Sequence, residues 1–245
     1  MDPFFRQFFP EDANALDGYH QEVQRRLTEE ADVLDLGCGD NGQLARYRSP
    51  RRQVWGADFH RHPQLKYAEW FRPLGEDGRI PFSAGSLDLI TACWVLEHVA
   101  DPPAFLGEVA RVLRPGGHFI ALTINAAHYV TWMIRLIHLL PHAFTQEVVR
   151  RLYGRSHHDT FPTHYQLNTV NQIKRAIRAT GLDLTAAIHF ANPDYFSFSK
   201  LLRRAAIVAD WFLEQWFPGM GRLYVVTVMQ KDETGNESMN PQKAA

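Results

Sequence analysis

Short apolar runs alternate along this chain with segments in which apolar residues recur every three or four positions. That is the pattern of strands buried between helices. The first run, Asp32-Val-Leu-Asp-Leu, predicts a buried parallel strand whose carboxyl end breaks at Gly37 and turns into a helix over 43–47, stopped by Ser49-Pro50. Further strands are predicted over 53–58, 86–94, 118–125, 182–190 and 222–231. Phe4, Phe5, Phe8 and Phe9 share one face of a short helix, and Tyr19, Val23 and Leu27 recur four apart on a second. From Asp101 the helix signals are complete. Asp101 is the N-cap, Pro102 takes the first helical position, Phe105, Leu106, Val109, Val112 and Leu113 form one apolar face, and Pro115-Gly116-Gly117 is the stop. Thr169-Val-Asn-Gln172 reads as a capping box opening another helix, with Val170, Ile173 and Ile177 facing inward and Gly181 closing it.

The break after the first run carries the first chemistry. Asp35 is followed by Gly37, Cys38, Gly39 and Gly42. Glycines there allow backbone conformations that a side chain forbids and let a ligand approach the main chain. Ligands of open α/β sheets bind beyond the carboxyl ends of the strands. The spacing also satisfies the Gly-x-Gly-x-x-Gly dinucleotide fingerprint. An acid two residues before the first glycine repels a pyrophosphate but suits a cationic ligand. Asp58, ending the second predicted strand 16 residues past Gly42, lies near the spacing at which such folds place a carboxylate on ribose hydroxyls.

Composition narrows the picture without changing it. With 45% apolar and 22% charged residues, the 245-residue chain is expected to form a soluble domain with a sizeable core. A net charge of −1 argues against a general nucleic-acid surface. Two cysteines, Cys38 and Cys93, make neither a disulfide framework nor a zinc spacing, so a cytoplasmic setting is expected.

The acid and Gly-x-Gly turn, then Ile80-Pro81-Phe82, Ser86-Leu-Asp88, Leu96-Glu97-His98-Val, Asp101-Pro102 and Leu113-Arg-Pro-Gly-Gly117 stand in one order and spacing. This block resembles the class I S-adenosylmethionine-dependent methyltransferases, over about residues 33–125. The resemblance implies a Rossmann-like α/β fold: a seven-stranded, mostly parallel sheet with helices on both faces, an antiparallel last strand and a helical lid insertion. It implies S-adenosylmethionine as cofactor and a small-molecule acceptor, and the nicotinamide alternative falls away. Asp35 is assigned to the methionine end of the cofactor, Gly37, Cys38 and Gly39 to backbone approach, and Asp58 to ribose. Phe59 is assigned to packing on adenine, and Glu76, after the expected third strand, to the adenine segment. Cys93 and Trp94 would border the methyl group. Leu-Glu-His matches quinone-type O-methyltransferases, some of which bind a divalent metal there. Their acid three residues before the Glu is Trp94 here, so no metal is expected. Candidate bases are His98, His157 and His158, although a histidine in such a setting is more often a packing or surface residue.

The expected divisions are an N-terminal helical segment (1–30), a cofactor-binding core (31–125), a helical insertion or lid (126–165), a C-terminal part of the core (166–231) and a disordered tail (232–245). Within the fourth, residues 196–217 form a basic, aromatic, amphipathic segment. Packing on the domain is the favoured account of it, and a peripheral membrane contact is the other. The function expected is O-methylation of an acceptor such as a sugar, glycolipid or isoprenoid-linked compound. The rival is an inactive, cofactor-binding partner protein.

Overall fold

Every predicted run becomes a strand of one sheet in the computed structural model, which describes residues 2–12, 14–137, 162–192 and 194–233. The helices are α1 (Pro3–Phe8), α2 (Ala15–Arg26), α3 (Pro102–Val112), α4 (Tyr129–Ile137), α5 (Val170–Ala176) and α6 (Lys200–Trp216). The strands are β1 (Asp32–Leu36), β2 (Gln53–Asp58), β3 (Phe71–Pro73), β4 (Leu87–Cys93), β5 (Leu113–Ile124), β6 (Leu182–Phe190) and β7 (Tyr224–Lys231). They lie in the order β3-β2-β1-β4-β5-β7-β6. The first five pair in parallel, and β7 runs antiparallel between β5 and β6. This is the mixed seven-stranded sheet that the resemblance implies.

Alternation along the central strands divides the core between the two faces. Leu34, Ile90, Phe119 and Ala121 pack with Leu106 and Val109 of α3 and Ile173 of α5. Val33, Leu89, Ile120 and Leu122 pack with Tyr19 and Val23 of α2. Asp35 shares the second face, two residues from Val33. Below, at the amino ends, Arg114 binds Asp32 and Asp88 at 2.9 and 2.5 Å and fastens β1 to β4.

Local structure departs from expectation at three places. The helix expected over 43–47 is a single 3₁₀ turn, Ala45–Tyr47. Asn41 is left-handed at φ 57° and Asp40 caps the Gly42 N–H, so too few residues remain before Pro50 to nucleate a helix. The helix starting at Pro102 ends at Val112, and β5 begins at Leu113. The Pro115-Gly116-Gly117 stop therefore lies inside the strand, at an irregularity in its pairing with β4. At Thr169, the Gln172 side chain accepts from the Asn168 N–H at 3.1 Å, one residue earlier than a standard capping box. The expected lid at 126–165 and the tail fall largely outside the described residues.

Candidate functional site

The carboxyl ends of β1, β2, β3 and β4 form one edge, and the glycine turn after β1 folds back across β2. Gly37 and Cys38 donate their N–H groups to the Ala57 carbonyl at 2.7 and 3.2 Å. Gly56 makes the fold-back feasible: a Cβ there would lie 2.3 Å from Asn41 Oδ1 and 2.7 Å from Cys38 Sγ. A glycine inside an apolar strand signals such a close approach, and Gly56 could have been singled out from the sequence on that ground.

Asp58 is the hub of this edge. Its Oδ2 accepts from the Gly39 N–H at 3.0 Å, and its Oδ1 accepts from the Phe59 N–H at 2.8 Å. Its carbonyl accepts from the Leu74 N–H at 2.9 Å, bringing the segment after β3 alongside. Phe59 presents an exposed ring, 54% accessible, beside the glycine turn. Gly39 is left-handed at φ +51°, and a Cβ on it would meet nothing within 4 Å. At Gly39 the turn is therefore bare backbone facing open space. Glu76 follows in the exposed turn over 75–79, three residues beyond the Pro73 that pairs with Asp58.

Asp35 sits one layer below, only 3% exposed, with Oδ1 accepting from the Thr91 hydroxyl of β4 at 3.1 Å. Burial pushes its carboxyl up to about 7, Thr91 opposes the rise, and the neighbouring Asp58 carboxylate adds to it. A carboxyl whose pKa rises on folding favours the folded chain while protonated. Its contribution is complete below about pH 4 and is lost as the pH climbs through about 7. Asp35→Asn stays neutral, so it is expected to flatten the decline in stability over that window. Urea midpoints across a pH series measure this, and an unchanged slope would acquit Asp35.

At the end of β4, Trp94 takes the left-handed conformation at φ 60°, an outlier for a bulky side chain and of the kind that clusters at functional sites. Its N–H donates to the Leu122 carbonyl at 2.9 Å, and its ring meets Tyr224 edge-on at 4.9 Å. Burial raises the Cys93 thiol to about 12, so it stays protonated and is no nucleophile. Cys38 is raised by the same cause.

Beyond Trp94 the chain makes a 3₁₀ turn, Leu96–His98. Glu97 is buried and its carboxyl raised by that burial, with Oε2 accepting from the Thr123 hydroxyl at 2.7 Å. Thr123 in turn accepts from Asn168 Nδ2 at 2.6 Å. Thr123→Val would strip the buried Glu97 carboxyl of this donor, while Asn168 Nδ2 keeps the Ile124 carbonyl at 3.2 Å, and is expected to cost about 1–3 kcal/mol, read as a shift in the urea midpoint. His98 donates from Nδ1 to the Pro162 carbonyl at 2.8 Å, which makes Nε2 the basic nitrogen of the neutral ring. His157 and His158 lie outside the described residues.

The structure thus gathers Asp35, Gly37, Cys38, Gly39, Asp58 and Phe59 around one turn, with Cys93 and Trp94 at the end of the adjoining strand β4. Sequence reasoning missed Gly56, Thr91, Thr123 and Asn168. It also missed His128, which caps α4 by accepting from the Val130 N–H at 3.2 Å and contacts Asp210 of α6 through Nε2 at 3.2 Å. No local signal links residues 82 positions apart. Among the described residues no group of three or more His, Cys, Asp or Glu side chains is gathered as a metal ion requires.

A family model described as a methyltransferase domain matches residues 11–187. A probable S-adenosylmethionine-dependent methyltransferase of Mycolicibacterium smegmatis is 32% identical over 113 residues, 43% of this chain and 44% of that protein. A ubiquinone biosynthesis O-methyltransferase of Cupriavidus pinatubonensis is 32% identical over 162 residues, 62% of this chain and 60% of that protein. The chain thus spans under half the length of the first of these relatives. Among solved structures, the geranyl diphosphate C-methyltransferase of Streptomyces coelicolor, in complex with Mg2+, geranyl diphosphate and S-adenosyl-L-homocysteine, shares the fold. Its TM-score is 0.54 at 14% identity, over 88% of this chain and 79% of that one.

Proposed function

Since the chain belongs to the class I S-adenosylmethionine-dependent methyltransferases, we propose that it methylates an oxygen of a small or medium-sized acceptor. The observation that carries this reading is the pair of carboxylates, Asp35 and Asp58, flanking the bare Gly37–Gly39 backbone. That donor set fits the cofactor. Its charge suits a sulfonium and an ammonium group and disfavours a pyrophosphate. The open space at Gly39 is a cradle that any side chain would begin to fill.

In this reading Asp58 accepts from the ribose hydroxyls while keeping the Gly39 N–H, and Phe59 covers the adenine with Glu76 at its edge. Asp35, ionised by an opposing cation, holds the methionine end. When bound, S-adenosylmethionine supplies an electrophilic methyl group. The chain's own part is to position donor and acceptor and to keep water from between them. Trp94 and Tyr224 wall the acceptor side, and Cys93 lies neutral beside them. His98 takes the acceptor proton at Nε2, with its tautomer set by Pro162.

The ubiquinone-pathway relative supports an isoprenoid-linked acceptor over a sugar or glycolipid, and all three classes belong in the test. Calorimetric titration with S-adenosylmethionine comes first. Turnover is then followed by mass spectrometry as one added methylene on isoprenoid-linked, sugar and glycolipid acceptors. No heat from the native protein would end the reading. Binding without any methylated product would favour the inactive-partner alternative.

A further inference from the structure

Among the described residues, the last helix before β7 has one largely uncovered face. Its inward face is fully engaged. Ile207 and Asp210 are buried, and Asp210 meets His128. Glu214 accepts from Arg222 and from the Gly219 N–H. Its outward face carries Leu201, Phe212 and Trp216 at 79, 57 and 68% exposure, continued by Phe217. Phe8 of α1 meets Trp211 edge-on, and Arg204 lies over Phe4, so the N-terminal helix extends the same surface.

Charge on this helix is sorted. Both of its acids, Asp210 and Glu214, are held against the domain, and Arg203 is paired with Asp2 and Asp194. The cations Lys200 and Arg204 stand exposed at the amino end of the apolar strip. From this complementarity we infer that α6, with the adjoining face of α1, docks on an anionic lipid surface. Its aromatic and aliphatic residues would enter the headgroup boundary, and Lys200 and Arg204 would meet lipid phosphates.

Tryptophan and phenylalanine are suited to that boundary, and cations beside them add attraction to anionic lipid. A protein interface of the same area would be depleted in exposed lysine. The contact lies on the surface, because among the described residues no helix is long and apolar enough to cross a membrane.

The position of α6 gives the contact a use. Asn125, the residue after β5, donates to the carbonyls of Gly219 and Arg222 at 2.7 and 2.9 Å, just past the helix. The lipid-facing helix is therefore fastened to the same end of the sheet as the glycine turn. If the proposed function holds, an acceptor with an apolar tail reaches the glycine turn without leaving the membrane. The docking itself does not depend on that reading.

The test is flotation of the full chain with vesicles of phosphatidylcholine alone and of phosphatidylcholine with about one-third phosphatidylglycerol. Binding is expected on the anionic vesicles and should weaken with salt. Phe212→Ser with Trp216→Ser should abolish it, and Lys200→Gln with Arg204→Gln should weaken it roughly 25-fold at low salt. Tryptophan quenching by brominated lipid in the native protein gives a readout free of any folding defect. S-adenosylmethionine binding should be unaltered in both double variants, which separates failure of docking from failure of the donor site. Native protein left behind by anionic vesicles would overturn the inference. So would binding indifferent to both double variants, or a dimer in sedimentation velocity that Phe212→Ser with Trp216→Ser dissociates.

Discussion

Gly37→Ala is expected to destabilise the folded chain by about 2–5 kcal/mol. Two costs add. Gly37 sits at φ +72°, where a Cβ meets its own backbone at a cost of about 1–2 kcal/mol. The new Cβ would also lie 2.4 Å from Val95 Cγ2, and forcing a methyl into packed surroundings costs about 1–3 kcal/mol more. Val95 heads the turn carrying Glu97 and His98, so relief at one position disturbs the other. Gly39→Ala is the informative contrast. It shares the backbone penalty at φ +51° but has nothing within 4 Å of its Cβ. Its loss of stability should stop near 1–2 kcal/mol, while its methyl intrudes on the proposed cradle and lowers cofactor affinity by about tenfold or more. Denaturant midpoints and calorimetry on the pair separate the two roles. Equal stability losses would show that Val95 yields, and unchanged affinity in Gly39→Ala would place the cofactor elsewhere.

The second large effect belongs to Asp58. Removing its carboxylate in Asp58→Ala is expected to weaken S-adenosylmethionine binding about 10- to 100-fold, the range for losing a charge-assisted hydrogen bond of about 1.5–3 kcal/mol. Part of that loss is indirect, because the Gly39 and Phe59 N–H groups both lose their acceptor. Asp58→Asn separates the components. The amide keeps one acceptor oxygen, so it should hold one of those N–H groups and fall between native and alanine. Native-like affinity in Asp58→Ala would remove the ribose assignment and, with it, the strongest support for the donor's placement.

The legible parts of this protein were those written in consecutive residues. Strand runs, the Asp101-Pro102 helix start and the acid-glycine turn each follow from local chemistry, and each stands where expected. Third-strand residues 71–73 were unreadable because three residues at the sheet edge carry no period to detect. The helix expected after the glycine turn failed because left-handed Asn41 and the Asp40 cap consume the residues it needed.

Partners distant in sequence were beyond the same reasoning. Asp35 was visible, but not the Thr91 hydroxyl 56 residues away that holds it, nor the burial that lifts its pKa. Glu97 was quoted as part of a motif, yet its surroundings come from Thr123 on β5 and from Asn168, which precedes α5. The amphipathic period of 196–217 was plain. Which of its faces the domain leaves uncovered depended on His128, Arg222 and Asn125.

By itself the amino-acid order determined where strands and turns form, because hydrophobic period, caps and glycine freedom act over a few residues. It also determined that an acid stands at the end of each of two strands. Only the tertiary structure decided that Asp35 lies buried beneath the turn while Asp58 grips it at the rim. Burial and hydrogen-bond partnership are properties of the space between segments, and that space exists only once the sheet has closed.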